Sequence, residues 1–115
     1  MKPLEIEKAF GSFSVDDLEK AKTFYAETLG MDVQEPGGVG IRLNLPGGGN
    51  FFVYQKEDHQ PASYTVLNLR VPDLDAAIES LNARGLSVDK PGGGPHRIAW
   101  FKDPAQNWIA LMQHG

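Results

Sequence analysis

The chain is predicted to be an α+β protein built from two tandem βαβββ modules, on three observations. The first is an internal repeat. The stretch FSVDDLEKAKTFYAETLGMDV, Phe13 to Val33, recurs in outline as LRVPDLDAAIESLNARGLSVD, Leu69 to Asp89, so that Val15, Asp17 and Leu18 match Val71, Asp73 and Leu74. Solenoids need roughly three or more repeats to bury a continuous core, and two copies point instead to a paired fold. The second observation is that each copy opens with a strand pattern followed by a helix pattern. The third is that each copy then passes a Pro-Gly-Gly segment (Pro36 to Gly38, Pro91 to Gly93) into two apolar runs separated by a turn.

In the first copy, Phe10 to Val15 alternates as a strand, and Asp16 or Asp17 supplies a side-chain oxygen to cap the amides that open a helix. Leu18, Ala21, Phe24 or Tyr25, and Leu29 recur at helical spacing, with Gly30 as a left-handed C-cap. Met31 to Gln34, Val39 to Leu45 and Phe51 to Gln55 are three further strands. The second copy repeats the order: strand Val66 to Val71, helix Asp73 to Ala83 with apolar face Leu74, Ala77, Ile78 and Leu81, and a cap at Gly85. Strands at Leu86 to Asp89, Arg97 to Lys102 and Trp108 to Gln113 complete it. The polar stretch Lys56 to Ser63, with Pro61, connects the modules.

Composition limits the function. At 115 residues and 41% hydrophobic, the chain suits one domain, 1–115, with modules at about 5–57 and 63–115. A net charge of −4 without a run of Lys or Arg gives no footprint for nucleic acid or for an anionic membrane. The absence of cysteine removes disulfides, thiolate catalysis and Cys-based zinc sites. No segment approaches the ~18 apolar residues of a membrane span, and the N-terminal stretch lacks the apolar core of a secretion signal, so a cytoplasmic protein is expected. The 13 glycines concentrate in Gly37 to Gly40, Gly47 to Gly49 and Gly92 to Gly94, where they mark turns. These runs are not phosphate loops, because no Lys-Ser or Lys-Thr follows them.

The paired strand-helix units, the βαβββ order and the hairpin Phe101, Asp103, Pro104, Asn107, Ile109 together resemble the vicinal oxygen chelate superfamily. That group includes glyoxalase I, bleomycin-resistance proteins and extradiol dioxygenases. The likeness runs from about Phe10 to Gln113. One departure is Gln106, where the hairpin usually has Gly ahead of the Asn; a side chain there predicts a mildly strained turn. The resemblance implies that each module's curved mixed sheet forms a cup, with helices on the convex face and the site on the concave one.

Alternation along strands then assigns side chains to faces. Phe10, Ser12 and Ser14 of the first strand point to the cup, as do Val66, Asn68 and Arg70 of its counterpart. Phe52 and Tyr54 join them, as do Trp108, Ala110 and Met112, and with them Trp100 and Ile98. Arg70 would put a permanent charge in a partly apolar cavity, where it needs an acidic partner, or else it pairs with a surface acid at the sheet edge. His96, beside Arg97 and a Gly-rich turn, stands at the cup mouth or is merely solvated.

Metal-dependent members of the superfamily carry His or Gln on the first strand of each unit and Glu on the last, a donor set for a divalent ion. Carried over, the four positions fall at Phe10, Phe52 (Val53 if the register slips by one), Val66 and Ala110. None offers a ligand. His59, His96 and His114 show no metal-binding spacing, and nothing marks Ser12 or Ser14 as a nucleophile beside a base. No metal or other cofactor is therefore expected. The ligand-binding set is Phe10, Ser12, Phe52, Tyr54, Asn68, Arg70, His96, Trp100, Trp108 and Met112, with no catalytic residue assigned.

The reading that follows is a metal-free, homodimeric binder of a small apolar or aromatic molecule, resembling drug-sequestering members of the superfamily. The aromatic residues would also suit a cup packed on itself or against a second subunit. An alternative is a glyoxalase-like lyase or isomerase, or a dioxygenase-type enzyme, with a displaced or absent metal site. A further one is a regulatory or interaction module.

Overall fold

The computed structural model describes residues 3–88 and 96–114, with the side chains of His96 and His114 excepted. It divides into two compact units, Met1–Glu57 and Asp58–Gly115, each with its own sheet.

In the first unit Gly11–Val15 forms β1, and its alternation buries Phe13 and Val15. Asp17 caps the next element, its carboxylate accepting from the Lys20 amide at 3.2 Å, while Gln55 Oε1 accepts from the Leu18 amide at 2.9 Å. Two of the amides that open α1, Leu18–Thr23, are thereby satisfied. The helix widens into a π turn over Phe24–Thr28, in which the Leu29 amide reaches back to the Phe24 carbonyl. This widening settles the ambiguity between Phe24 and Tyr25, since both are buried. Adjacent residues on an ordinary helix diverge by about 100°, and the wider turn brings them nearer one face. Gly30 closes the element at φ 71°, as expected for the left-handed cap.

Asp32–Gln34 (β2), Ile41–Asn44 (β3) and Asn50–Gln55 (β4) complete the unit, in the sheet order β1-β4-β3-β2. β1 runs parallel to β4, and the other pairs are antiparallel. Ile41, Leu43 and Val53 face the helix with Phe13 and Val15, and Phe13 meets the Tyr25 ring edge-on at 6.1 Å. Gly40 is required at its position, because a Cβ there would lie 2.5 Å from the Val53 carbonyl oxygen and 2.6 Å from the Phe52 ring.

In the second unit Thr65–Arg70 is β5 and Leu74–Ala83 is α2, capped by Asp73 accepting from the Ala76 amide at 3.0 Å. His96–Lys102 is β6 and Trp108–His114 is β7, and the sheet order is β5-β7-β6. Leu67, Ile109, Leu111, Ala99 and Phe101 form its buried face, while Leu74, Ile78 and Leu81 are the buried side of α2. Trp108 to Met112 pairs with β5 in parallel and with β6 antiparallel.

The expected strand at Leu86 to Asp89 is not formed over 86–88, and Asp89 lies outside the described residues. The Leu86 and Val88 amides are committed elsewhere. Gly85 at φ 89° ends α2, its amide bonding the Asn82 carbonyl while the Leu86 amide bonds that of Leu81, which is a Schellman closure. The Val88 amide then donates to the Asn82 side chain at 3.2 Å. With these two amides serving the helix C-terminus, the segment does not build a strand ladder.

The turn between β6 and β7 is built on two buried polar residues, Asp103 and Asn107. Asp103 Oδ1 accepts from the amides of Ala105 and Asn107 at 2.9 and 2.8 Å, and Asn107 Oδ1 accepts from the Ala62 amide at 3.3 Å. His59 Nε2 lies 3.0 Å from the Ala105 carbonyl. A carbonyl only accepts, so that nitrogen carries the hydrogen. These bonds hold the segment before β5 against the hairpin turn. Gln106 sits at φ 68°, the left-handed region anticipated for its place before Asn107. No helix among the described residues is long and apolar enough to cross a membrane.

Candidate ligand-binding site

Each sheet has one face toward its helix and one open face, and strand pairing gives the rows of the open faces. In the first unit Ser12, Phe52, Arg42 and Gln34 share a row, and Ser14 pairs with Tyr54. The Phe52 and Tyr54 rings stack with centroids 6.3 Å apart and planes 17° from parallel. The Arg42 guanidinium is held by the Gln34 side-chain oxygen through Nε and Nη2, a neutral partner rather than a carboxylate. Asn44 donates to Asp32 at 3.0 Å. Phe10 precedes β1 and is 62% exposed.

The open face of the second unit carries three rows: Arg70, Met112 and Ile98; Asn68, Ala110 and Trp100; Thr65, Trp108 and Lys102. Thr65 also stands on this face, which alternation back from Leu67 would not predict. A bulge sets both Thr65 and Val66 against Trp108, and Thr65 takes the paired position. The Trp100 indole Nε1 donates to the Thr65 hydroxyl at 3.1 Å. β5 and β6 flank β7, so their backbones stand about 9–10 Å apart, and the indole must cross β7 to make this bond. It passes the level of Ala110, a residue that is only 1% exposed despite lying on the open face.

Trp100 and Trp108 are shared by two clefts. One, of about 280 Å³, is lined also by Ser63, Tyr64 and Thr65. The other, of about 290 Å³, is lined also by Leu86, Ser87, Phe101 and Lys102. The Lys102 ammonium stands 4.6 Å from the Trp108 ring centroid, in cation–π contact. Indole faces with a few hydroxyl and ammonium groups at the margin are the usual lining of a small-molecule pocket. On the opposite side of this sheet Arg97 pairs with Asp75 at 2.8 Å, which holds the Asp75 carboxyl below its ordinary range chiefly through the hydrogen bond.

Trp100 and Trp108 are thus brought together, with Asn68 in the row of Trp100 and with Met112 and Arg70 in the outermost row, at the end of β5. Ser12, Phe52 and Tyr54 share the open face of the first unit. The His96 side chain lies outside what the structure describes. Sequence reasoning passed over Tyr64, Thr65, Lys102 and Arg42. Lys102 was within reach, since residues 98, 100 and 102 share parity; Thr65 was not, because the bulge leaves no mark in the residue pattern.

A model of the Glyoxalase/Bleomycin resistance protein/Dioxygenase superfamily matches residues 9–111. The chain belongs to this superfamily. Its structure is similar to that of TnmS3, an antibiotic binding protein from Streptomyces sp. CB03234, with TM-score 0.80 and 33% identity over 99% of this chain and 100% of that one. A glyoxalase/bleomycin resistance protein from the same Streptomyces is 38% identical over 93% of this chain and 100% of its own, with TM-score 0.71. The fosfomycin resistance protein FosX from Listeria monocytogenes shares the fold, at TM-score 0.77 and 15% identity over 97% of this chain and 96% of that one. A search of curated proteins finds no match.

Membership in this superfamily raises the question of a divalent ion. The side chains at Phe10, Phe52, Val53, Val66 and Ala110 have no lone pair to donate, and the Thr65 hydroxyl brought forward by the bulge is bonded to Trp100. Among the described residues no group of three or more His, Cys, Asp or Glu stands together as a metal site. The residues at the family positions do not fit a metal.

Proposed function

We propose that this superfamily member binds a small, largely apolar aromatic molecule against Trp100 and Trp108, without a resident metal and without turning it over. The observation that carries the reading is the indole of Trp100, fixed by Thr65 beside Trp108 so that two aromatic walls and a hydroxyl margin are already in place. Preformed walls reduce the ordering cost of binding. The antibiotic binding function named for the 33% identical TnmS3 supports the same class of activity here.

The absence of donor side chains at the family positions favours binding over the metal-assisted chemistry of the enzymes in the group. A cytoplasmic homodimer is part of the proposal, with the exposed Leu4, Ile6 and Phe10 available to an interface.

The test is calorimetric titration of the purified protein with polycyclic aromatic natural products, in parallel with Trp108→Ala and Tyr54→Ala. Saturable binding that Trp108→Ala weakens at least about tenfold, equivalent to 1.4 kcal/mol, supports the reading. Undiminished affinity in Trp108→Ala refutes it, as would divalent-metal-dependent turnover that EDTA abolishes. Tyr54→Ala asks whether the open face of the first unit contributes.

A further inference from the structure

The open face of the second unit has a charge opposite to that of the chain. There are 15 Asp and Glu against 11 Lys and Arg, yet the paired positions of this face include Lys102 and Arg70 and no carboxylate. Lys102 lines the cleft beside both indoles. Arg70 is exposed, and among the described residues its side chain has neither an ion pair nor a hydrogen bond. Asp75 and Asp103, in the same unit, are engaged elsewhere, one with Arg97 and the other within its own turn.

We infer that the cleft takes a planar aromatic molecule bearing an ionised acid group, with Lys102 as the residue that determines this specificity. The inference rests on the binding reading above and names its ligand class. Stacking on an indole hardly distinguishes a neutral ring from a charged one, so the surrounding charge decides. The Lys102 ammonium rides on a flexible four-carbon stem and can swing from the Trp108 face to an oxyanion, freeing that face for the ligand. A charge-assisted bond to a carboxylate is stronger than an exposed cation–π contact. With no acid at the paired positions of this face, the field of Lys102 and Arg70 attracts anions and disfavours cations.

The two tryptophans of the chain both lie in this site, so two indole N–H resonances in proton–nitrogen NMR spectra report on it directly. The probes are 2-naphthoate and its neutral isostere 2-naphthamide, with affinities taken from the shifts of those resonances. Naphthoate is expected to bind roughly fivefold more tightly, as befits a partly exposed ion pair. Lys102→Met should bring the ratio near one and Lys102→Arg should preserve it, and about 1 M salt, where the Debye length is about 3 Å, should erase it. Naphthamide binding as tightly as naphthoate, or a preference that survives Lys102→Met, overturns the inference and leaves the binding reading intact. If neither probe moves either indole resonance, both fall.

Discussion

The Trp100 indole N–H is bonded to the Thr65 hydroxyl at 3.1 Å across the intervening strand β7. The bond joins the two outer strands of the sheet on its open face and fixes the plane of one aromatic wall. Two features permit it: the bulge that turns Thr65 to this face, and the small Ala110 beneath the indole.

Thr65→Val keeps the β-branched shape and removes the hydroxyl. The indole then loses its acceptor, at a cost of about 1 kcal/mol. One of the two indole N–H resonances should shift to the position of a water-exposed group and broaden, and affinity for an aromatic ligand should fall. An unchanged resonance would mean that Trp100 is held by packing alone.

Ala110→Leu places a branched side chain where the indole crosses. Overpacking of this kind costs about 1–3 kcal/mol. The expected outcome is a red-shifted Trp emission and loss of aromatic binding, with the fold retained by circular dichroism. If emission and binding both persist, the indole does not cross at this level.

Gln106 carries a side chain at φ 68° in the turn built on Asp103 and Asn107. A non-glycine residue in the left-handed region costs about 1–2 kcal/mol. Gln106→Gly should therefore stabilise the protein by about 1 kcal/mol after the added chain entropy is set against it, raising Tm by about 4 °C. A lower Tm would show that the Gln106 side chain has a stabilising contact.

The Asp75–Arg97 pair joins α2 to β6 at the surface. Because the folded Asp75 pKa lies below its unfolded value, its contribution is complete above the unfolded value and is lost as pH falls through the interval down to the folded one. Arg97 is raised, so its side of the pair fails only in strong alkali. Chemical denaturation across the acid range should be less pH-dependent in Asp75→Asn than in the parent, while the two pH profiles should run parallel above pH about 6.

Much of this architecture follows from local residue chemistry. The repeat, the caps at Asp17, Asp73, Gly30 and Gly85, and the period-two burial of Phe13 with Val15 are visible in order along the chain. Each depends on a neighbour within a few positions. So do the chemical identities of Phe10, Phe52, Val66 and Ala110, which offer no metal donor whatever their surroundings. Parity also put Trp100 and Trp108 on one face.

Other features depend on partners distant in the chain. Whether 86–88 forms a strand was decided by competition for its amides, which the end of α2 and the Asn82 side chain won. The π turn that buries both Phe24 and Tyr25 has no periodic signature of its own. The bulge set Thr65 opposite Trp108, a one-residue change of register that brings its side chain to the open face, and only then could an indole 35 residues away find its acceptor. Alternation within a strand assigns faces, but register between strands is set by the assembled hydrogen-bond ladder, and the site stands on that register.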